Sequence, residues 1–423
     1  MNFENHVVHI TTQQKNDDLN HPLNNFNNSK SSGTGFYIGH GIILTCYHVI
    51  ENSLKISVKT YNINYEIFDN NATIKYAFPD DDLAVIEVDN KDIIYNIFDY
   101  YILTNKINNL EVNTVGYPLN STTLKINKGV ISGYQDSNIQ TDSTLNAGNS
   151  GGPLLYNNKV IGINQSKMTG DASNTGFAVP IFRFLILYKL KNNELKLLNN
   201  KPTLLFRFQK NKQKFYNFDY GVRLSKLHSK SCLHKYNIKV DDIILKINGN
   251  KIDNEGKIKF SFFPEKISLD EIKYWFTNGD KISITYYSSK EEKILETNIE
   301  LEYFETNLLN YYKEIDRKYV FENNGLVFSI FTNKHIEEID NLEISLTKKV
   351  KLLSRFLSIE HQFTIYLSDL VYSKLNFTEY PINDIITHIN DVEIDCYDTM
   401  ASVMKNSVYK IKTIDNNIFF IKK

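Results

Sequence analysis

The chain has 423 residues, of which 42% are hydrophobic and 13% aromatic, and this length provides for roughly two to four domains with buried cores. Its 48 basic and 49 acidic residues leave a formal net charge of −1, which excludes the strongly basic surface typical of nucleic-acid-binding proteins. Cys46, Cys232 and Cys396 are the only cysteines and lie far apart, so the composition argues against a disulfide framework and favours a reducing compartment.

Residues 1–32 are mostly polar after position 10, and this composition predicts a flexible N-terminal arm. The first 30 residues lack the charged and apolar regions of a secretory signal, and no apolar run is long enough to span a membrane. These features predict a protein of the cytoplasm or nucleus with no membrane partner. An organelle presequence within the arm stays an open alternative.

Structure is predicted to begin with a β-hairpin, in which the strands 33–38 and 42–45 are joined by a glycine-containing turn. Further short apolar segments follow, separated by polar turn residues, and 83–88 is the most apolar among them. Many short strands at this spacing are typical of an antiparallel barrel or sandwich. Because 182–198 has helical apolar spacing, we predict two small β-barrels followed by a helix over residues 33–198.

The sequence Asn-Ala-Gly-Asn-Ser-Gly-Gly-Pro-Leu at 146–154 places Ser150 between glycine-containing turns. Glycine permits the tight backbone that leaves amides pointing at a neighbour, a geometry suited to a nucleophile and its oxyanion hole. Such a serine needs a histidine base and a carboxylate that orients the histidine. His48 follows a predicted strand and Asp82 directly precedes the strand 83–88, so these two residues are the candidates.

Each of the three residues also has an ordinary structural explanation. Ser150 could lie on a simple glycine turn, His48 is one of ten histidines, and Asp82 ends a run of three aspartates that would suit a solvated turn. The coincidence of all three residues, each at the end of a strand, favours the catalytic interpretation.

The chain resembles the HtrA, or Deg-type, serine proteases of the trypsin-like superfamily. The segments that carry this resemblance extend over the whole proposed protease domain. They are 33–36 (Gly-Thr-Gly-Phe), 44–45 (Leu-Thr) with 48–49 (His-Val), 82–85 (Asp-Leu-Ala-Val), 129–133 (Gly-Val-Ile-Ser-Gly), 140–142 (Gln-Thr-Asp), 148–154 (Gly-Asn-Ser-Gly-Gly-Pro-Leu) and 174–180 (Asn-Thr-Gly-Phe-Ala-Val-Pro). By this resemblance, His48 is the general base, Asp82 orients it and Ser150 is the nucleophile.

The resemblance also implies where the chain binds its substrate. The oxyanion hole of the family corresponds to the backbone amides of Gly148, Asn149 and Ser150. The specificity pocket, and the strand that pairs with the substrate backbone, correspond to Leu145, Ile163, Asn164 and Gln165. An apolar pocket, and hence cleavage after small or medium aliphatic residues, is expected.

The C-terminal half looks like a PDZ domain at 220–227 and 238–249, because an opening strand is followed by Val-Asp-Asp-Ile-Ile-Leu and then by Asn-Gly, a strong hairpin signal. A helix is predicted at 269–276, which contains the single tryptophan. The segments 241–249 (Asp-Asp-Ile-Ile-Leu-Lys-Ile-Asn-Gly) and 383–391 (Asn-Asp-Ile-Ile-Thr-His-Ile-Asn-Asp) form an internal repeat, which predicts a second PDZ-like domain.

The segment 255–267 is similar to an insertion in the plant-type nuclear Deg proteases, and this similarity favours that branch. The fold class is therefore mainly β: a trypsin-like double β-barrel followed by two PDZ-like α+β domains. The predicted arm, protease domain, PDZ domain and PDZ-like domain are 1–32, 33–198, 199–303 and 304–423. No clear carboxylate-binding loop precedes Tyr220, so peptide binding and a regulatory or oligomer-bridging role both stay open.

These features predict an ATP-independent serine endopeptidase that hydrolyses unfolded or misfolded proteins through an acyl-enzyme intermediate, with no metal or other cofactor. The resemblance implies a homotrimer or a multiple of trimers. A non-proteolytic chaperone or PDZ scaffold on a protease fold is the main alternative, and a viral-type processing protease with a narrow cleavage site is another. The sequence contains no His-Glu-x-x-His motif, which argues against metal-dependent hydrolysis.

Overall fold

The computed structural model describes the greater part of the chain. The described residues are 3–15, 19–20, 28–90, 92–104, 107–135, 137–167, 175–189, 204, 206–211, 215–227, 231–261, 263–302, 320–323, 325–332, 335, 339–342, 344–356, 365–370, 384–395, 397–403 and 408–422. The chain divides into two compact units, the first comprising Met1–Gln13 with Lys30–Phe304 and the second Gln14–Ser29 with Glu305–Lys423. No helix in these described ranges is long and apolar enough to cross a membrane.

The first unit begins with a closed six-stranded barrel. Its strands are β1 Val7–Lys15, β2 Asn28–Gly39, β3 Ile42–Thr45, β4 Ser53–Asn62, β5 Ile67–Phe78 and β6 Leu83–Val88. They pair in the order β1-β2-β3-β6-β5-β4, the pairing of β1 with β4 closes the barrel, and the short β7 Ile93–Ile94 pairs with β4. Because β6 lies between β3 and β5, its apolar sequence is almost wholly buried, as the sequence predicts.

The structure corrects the prediction of a flexible arm at residues 1–32. Strand β1 begins at Val7, and Val7, Val8 and Ile10 are buried in the barrel. The Tyr37 amide also donates to the carbonyl oxygen of His6, at 3.0 Å. The polar composition concealed this strand because its order comes from pairing with distant strands and from burial of a few apolar side chains. The parts of the predicted arm at 1–2, 16–18 and 21–27 lie outside the described residues.

A second closed barrel follows in the same unit. Its strands are β8 Glu111–Gly116, β9 Lys125–Gln135, β10 Asn138–Thr141, β11 Pro153–Tyr156, β12 Lys159–Lys167 and β13 Gly176–Pro180. They pair in the order β10-β13-β12-β11-β8-β9, and apolar side chains such as Val112, Ile131 and Leu154 fill the interior. The two barrels confirm the predicted double-barrel fold.

Two short helices contain or directly precede residues of the candidate site, and a longer helix follows the second barrel. Helix α1 is a single turn, Tyr47–Ile50, directly after β3, and a 3-10 helix, Pro79–Asp81, leads into β6. Helix α2, Ile181–Lys189, follows the last strand of the second barrel, as the apolar spacing predicts. The predicted continuation of α2 to residue 198 lies outside the described residues.

The rest of the first unit is a C-terminal module with a single hydrophobic core. Its strands are β14 Phe206–Lys210, β15 Val222–Leu227, β16 Ile243–Ile247, β17 Asn250–Lys251, β18 Lys257–Lys259, β19 Lys266–Ser268, β20 Lys281–Ser288 and β21 Lys293–Glu300. The main sheet has the order β14-β15-β16-β20-β21, with β17 paired to β16, and β18 and β19 form a separate hairpin.

Two local predictions can be compared with this module. Asn248 and Gly249 have φ values of 48° and 74° in the turn between β16 and β17, which confirms the hairpin predicted from the Asn-Gly pair. The helix predicted at 269–276 is a 3-10 helix, Leu269–Tyr274. The hairpin of β18 and β19 carries Phe260 and Phe263, which are buried in the core of the module together with Trp275.

The second unit repeats this strand order. Its strands are β22 Val320–Asn323, β23 Leu326–Ile330, β24 Ile365–Leu370, β25 Ile385–Ile389, β26 Val392–Glu393, β27 Val408–Thr413 and β28 Ile418–Lys422, and its helices are α3 Leu346–Phe356 and α4 Tyr397–Val403. The sheet order β23-β24-β25-β27-β28, with β26 paired to β25, matches that of the first module, and β22 adds one strand beside β23. The repeated order agrees with the repeat in the sequence.

Candidate active site

The structure brings His48 and Asp82 together. His48 Nδ1 and Asp82 Oδ2 are 2.7 Å apart, and the His48 amide donates to Asp82 Oδ1 at 2.8 Å. The Tyr47 amide donates to the carbonyl oxygen of Asp82 at 3.1 Å. These contacts between α1 and the turn before β6 hold the imidazole with Nδ1 facing the carboxylate. The Nε2 atom is then the one that can accept a proton from a nucleophile.

The turn that carries Asp82 has a clear local cause. Pro79 occupies the first position of the 3-10 helix, where its fixed φ suits helical backbone. The turn closes when the Asp82 amide donates to the Pro79 carbonyl oxygen at 2.9 Å, and Asp82 itself adopts a left-handed conformation with φ 53°. Aspartate tolerates that conformation better than most residues, so the Pro-Asp-Asp-Asp sequence supports the turn.

The environment of His48 favours its protonated form. Burial would lower the pKa of the imidazole, but the hydrogen bond that the imidazole donates to Asp82, the charge of Asp82 and the charge of Glu51 together raise that pKa above its ordinary value. The His48 side chain is 45% exposed and that of Asp82 is 18% exposed. A partly solvated histidine with a raised pKa is a stronger proton acceptor, as general-base catalysis requires.

Ser150 stands on the loop between β10 and β11. Its Oγ donates to the carbonyl oxygen of Gln165 at 2.9 Å. Within the described ranges, Ser150 and His48 share no hydrogen bond, although both line the same cavity. The structure therefore brings all three predicted residues to one site, with Ser150 in a rotamer that must turn before it can donate to His48.

Thr34 in β2 holds the Ser150 loop, a role that was not predicted from its sequence position. Its amide donates to the Ser150 carbonyl oxygen at 2.8 Å, and its Oγ1 donates to the Gly148 carbonyl oxygen at 2.6 Å. The same Oγ1 accepts from the Tyr117 amide at 3.0 Å. The available signal was a threonine between two glycines in an apolar strand, which is typical of a close backbone approach.

The predicted oxyanion hole needs one correction. The Asn149 amide donates to the Asn146 carbonyl oxygen at 2.9 Å and closes a turn, so it does not point into the site. The amides of Gly148 and Ser150 donate to no acceptor in the described parts of the chain. Gly148 has φ 97°, and a β-carbon there would lie 2.4 Å from the Tyr117 carbonyl oxygen, so this position requires glycine. Gly148 and Ser150 are thus the two amides that can stabilise an oxyanion.

A cavity of about 370 Å³ opens at this site. It is lined by His48, Leu145, Asn146, Ala147, Ser150, Asn164 and Gln165. Of the four predicted substrate-binding residues, Ile163 is not in this lining; it is fully buried in β12, opposite Pro153 and Val179. Side chains alternate along a strand, so Ile163 points to the opposite face from Asn164, and the irregular pairing of β12 with β13 between Asn164 and Ser166 interrupts the alternation at Gln165.

Cys46 is a buried thiol close to the histidine and the aspartate. Cys46, His48 and Asp82 each offer a ligand atom, and these atoms lie within 4.8 Å of one another, so they are the group of described residues that could hold a metal ion. Burial, followed by the charge of Asp82, raises the pKa of the thiol well above its ordinary value, and Sγ donates to the Asn164 carbonyl oxygen at 3.2 Å. Because the thiol is held protonated, the pair of His48 and Asp82 can act together in proton transfer.

Gly151 is expected to be essential for the packing of the loop. It has φ 84°, and a β-carbon there would lie 2.1 Å from the Thr34 carbonyl oxygen and 2.2 Å from Thr45 Oγ1. We expect Gly151→Ala to lower the free energy of unfolding by about 2–4 kcal/mol, measured by chemical denaturation. Gly249→Ala is the matched control, since Gly249 has φ 74° but open space around it, and should cost only about 1 kcal/mol. Equal losses in the two variants would contradict the steric explanation.

Residues 33–163 match the family model of the trypsin-like peptidase domain. The chain is 26% identical over 275 residues to Protease Do-like 4, mitochondrial, of Arabidopsis thaliana. The aligned region covers 60% of this chain and 52% of that protein. It is 28% identical over 302 residues to Serine protease HTRA3 of Homo sapiens, which covers 63% of each chain. The chain thus spans about half of the Arabidopsis relative and somewhat more of the human one.

A comparison with solved structures agrees on the fold. The HtrA-type protease AlgW with tripeptide superposes with a TM-score of 0.52 at 19% sequence identity, covering 71% of this chain and 93% of that one. These findings confirm the predicted resemblance to HtrA and Deg-type proteases, and the Arabidopsis relative is consistent with the plant branch.

Proposed function

We propose that this chain, whose residues 33–163 form a trypsin-like peptidase domain and whose relatives are Do-like and HtrA proteases, is an ATP-independent serine endopeptidase. The observation that carries the proposal is a histidine, His48, which is paired with Asp82 and shares a cavity with Ser150. Two backbone amides, of Gly148 and Ser150, lie beside the proposed nucleophile and lack a protein acceptor in the described residues.

The proposed reaction begins with a rotation of the Ser150 side chain from the Gln165 carbonyl oxygen toward His48 Nε2. His48 accepts the hydroxyl proton as Oγ attacks the substrate carbonyl carbon, and Asp82 stabilises the imidazolium. The amides of Gly148 and Ser150 donate to the negative oxygen of the tetrahedral intermediate, and each such donor contributes about 3 kcal/mol in comparable enzymes.

The second half of the reaction uses the same groups. The imidazolium of His48 protonates the leaving amine, which breaks the peptide bond and leaves an acyl group on Ser150 Oγ. A water molecule then attacks the acyl-enzyme while His48 accepts its proton, and the acid product leaves. Rotation of Ser150 also releases the Gln165 carbonyl oxygen, which can then accept a hydrogen bond from the substrate backbone.

The proposed substrates are unfolded or misfolded proteins. The cavity includes Leu145 and Ala147, which supports cleavage after small or medium aliphatic residues, and the open site suits an extended peptide. We assign the two C-terminal repeats as PDZ-like domains on their matching strand order. The resemblance to HtrA proteases is the basis for a homotrimer or a multiple of trimers, which light scattering on the purified chain can measure.

The proposed compartment is the cytoplasm or nucleus. Cys46 and Cys232 are buried free thiols, which suits a reducing environment, and the near-neutral charge gives no reason to expect a nucleic-acid partner. The Arabidopsis relative described above is among those named mitochondrial, so cell fractionation with an organelle marker is the direct measurement.

The test of this function is covalent labelling with a serine-directed fluorophosphonate, together with digestion of unfolded casein. We expect one adduct, mapped by mass spectrometry to Ser150, and loss of casein cleavage in proportion to labelling. Ser132, an exposed serine on β9 of the same barrel, should carry no adduct. Cleavage that persists after full labelling would contradict the assignment. Suppression of aggregation without any cleavage or labelling would favour a chaperone on a protease fold.

A further inference from the structure

Arg183 in α2 is a buried arginine whose guanidinium is bound on several sides. Its Nε and Nη2 donate to Asp81 Oδ1 at 3.1 and 2.5 Å, and its Nη1 donates to Asn138 Oδ1 at 2.9 Å. The side chains of Arg183 and Asp81 are 5% and 2% exposed. A buried, hydrogen-bonded ion pair holds both partners in one geometry. Separating the partners would leave a buried charge that neither water nor an opposite charge stabilises.

The partner of Arg183 directly precedes the aspartate of the candidate site. The three consecutive aspartates lie in three different environments: Asp80 is exposed, Asp81 binds Arg183, and Asp82 binds His48. Asp81 is the last residue of the 3-10 helix, and Asp82 follows it in the left-handed conformation. A contact that fixes Asp81 therefore limits the rotation of the turn on which the Asp82 carboxylate stands.

The C-terminal module of the first unit covers the other face of this guanidinium. The Cζ atom of Arg183 lies 4.2 Å from the ring centroid of Tyr274, the last residue of the 3-10 helix Leu269–Tyr274. Next to this contact, Phe182 stacks on Trp275 with ring centroids 4.6 Å apart. An aromatic face over a desolvated guanidinium is favourable, so the module supplies part of the site that binds Arg183.

Two further contacts continue the same surface. The rings of Tyr134 and Phe263 have centroids 4.5 Å apart, and Ser137 donates to Glu271. Both pairs join the β9–β10 region of the second barrel to the C-terminal module. The module thus packs against the peptidase domain through several residues around Arg183, and not through one contact alone.

We infer that Arg183 is a positioning residue for Asp82, and that Tyr274 of the C-terminal module completes its binding site. This inference rests on the proposed peptidase function. It means that the module from 204 to 302 contributes to the geometry of the pair of His48 and Asp82, although none of its residues lines the cavity. The module acts through a series of contacts: Tyr274 lies against Arg183, Arg183 binds Asp81, and Asp81 is joined through the backbone to Asp82.

The test uses the full-length double variant Asp81→Asn with Arg183→Gln. Both charged side chains of the ion pair become neutral, so no unpaired charge is left buried. We expect kcat to fall about 10- to 100-fold, because small misplacements of catalytic groups have effects of this size. KM should stay close to that of the wild type. The acid limb of the pH profile should move to lower pH, because a misplaced Asp82 no longer supports the protonated form of His48. Titration with the fluorophosphonate counts the folded sites and corrects kcat for any loss of folded protein.

Arg223 provides the matched control. It forms an ion pair with Asp241 at 2.5 Å and lies 5.5 Å from the Phe215 ring, so like Arg183 it has an aspartate and an aromatic ring as partners, but both side chains of the ion pair are partly exposed and belong to the module alone. The double variant Asp241→Asn with Arg223→Gln should keep the kcat and pH profile of the wild type. A fall in kcat in this control as large as in the Arg183 variant would overturn the inference.

Substitutions at Tyr274 test the role of the module. Tyr274→Phe keeps the aromatic face and should retain wild-type kcat, whereas Tyr274→Ala should lower kcat several-fold and shift the acid limb in the same direction as the Arg183 variant. Wild-type behaviour of both the Arg183 double variant and Tyr274→Ala would overturn the inference while the proposed function stands. If the wild-type chain shows no cleavage that depends on Ser150, the proposed function itself fails.

Discussion

Replacing Ser150 with alanine is expected to lower the rate of cleavage of unfolded casein about 10⁶-fold relative to the wild type, which is the size of loss seen when a nucleophile is removed from such a triad. The physical reason is that, among the residues that the structure describes, no other hydroxyl lines the cavity with His48, so water becomes the attacking group. The change removes one hydroxyl from a partly buried position, where in the described part of the chain it bonds only to the Gln165 carbonyl oxygen. The thermal unfolding midpoint should therefore stay near that of the wild type.

The control for this experiment is Ser132→Ala, in which an exposed serine of the same barrel is changed. It should cleave casein at the wild-type rate. A Ser150→Ala protein that keeps more than about one hundredth of the wild-type rate, in a preparation free of other proteases, would show that a different residue attacks the substrate.

Replacing Asp82 with asparagine is expected to lower kcat about 10⁴-fold at neutral pH. An asparagine can still accept the His48 amide bond through Oδ1, but its Nδ2 then faces His48 Nδ1 as a donor. The imidazole must turn to the tautomer with its proton on Nε2, which cannot accept the proton of Ser150. The assay is steady-state cleavage of a fluorogenic peptide, with active sites counted by fluorophosphonate titration.

The pH profile gives a second readout of the same substitution. In the wild type, Asp82 raises the pKa of His48, and catalysis needs the neutral imidazole, so the acid limb should lie above the ordinary histidine range. Loss of the carboxylate lowers the pKa of His48 and moves this limb to lower pH. Asp80→Asn, at the exposed first position of the same run, should change neither kcat nor the limb. If Asp80→Asn changes kcat and the acid limb as Asp82→Asn does, the cause is the total negative charge of the three aspartates and not the contact between Asp82 and His48.

The sequence was most informative where local geometry and chemistry agree. Ser150 could be found because nucleophile loops need glycine on both sides, and Gly148 and Gly151 do have positive φ. Asp82 could be separated from its two neighbours because it alone directly precedes an apolar strand. The distance between Asp82 and His48 then follows from the pairing of β3 with β6, which places the ends of the two strands side by side.

Other features depend on contacts that no local pattern contains. Strand β1 is ordered by pairing with β2 and β4, so its polar sequence gave a wrong prediction of an arm. The bond from the Asn149 amide to the Asn146 carbonyl oxygen, which turns this amide away from the site, depends on how one turn closes. The roles of Thr34 and Arg183 depend on residues more than a hundred positions away, Gly148 for the first and Asp81 for the second. Tertiary contacts of this kind become visible only when the chain is folded.

The extra strand β22 has a consequence for how many peptides one chain could capture. In the first repeat, the outer edge of β14 is paired with no other strand in the described part of the chain, so its backbone groups are available to an added strand. The corresponding edge of β23 in the second repeat is already occupied by β22, through a ladder from Val320 to Asn323. In the second repeat, β22 thus occupies the position that an added strand would take in the first. If the proposed PDZ-like repeats bind peptides by adding a strand at this edge, we expect a stoichiometry of one extended peptide per chain, which calorimetry can measure.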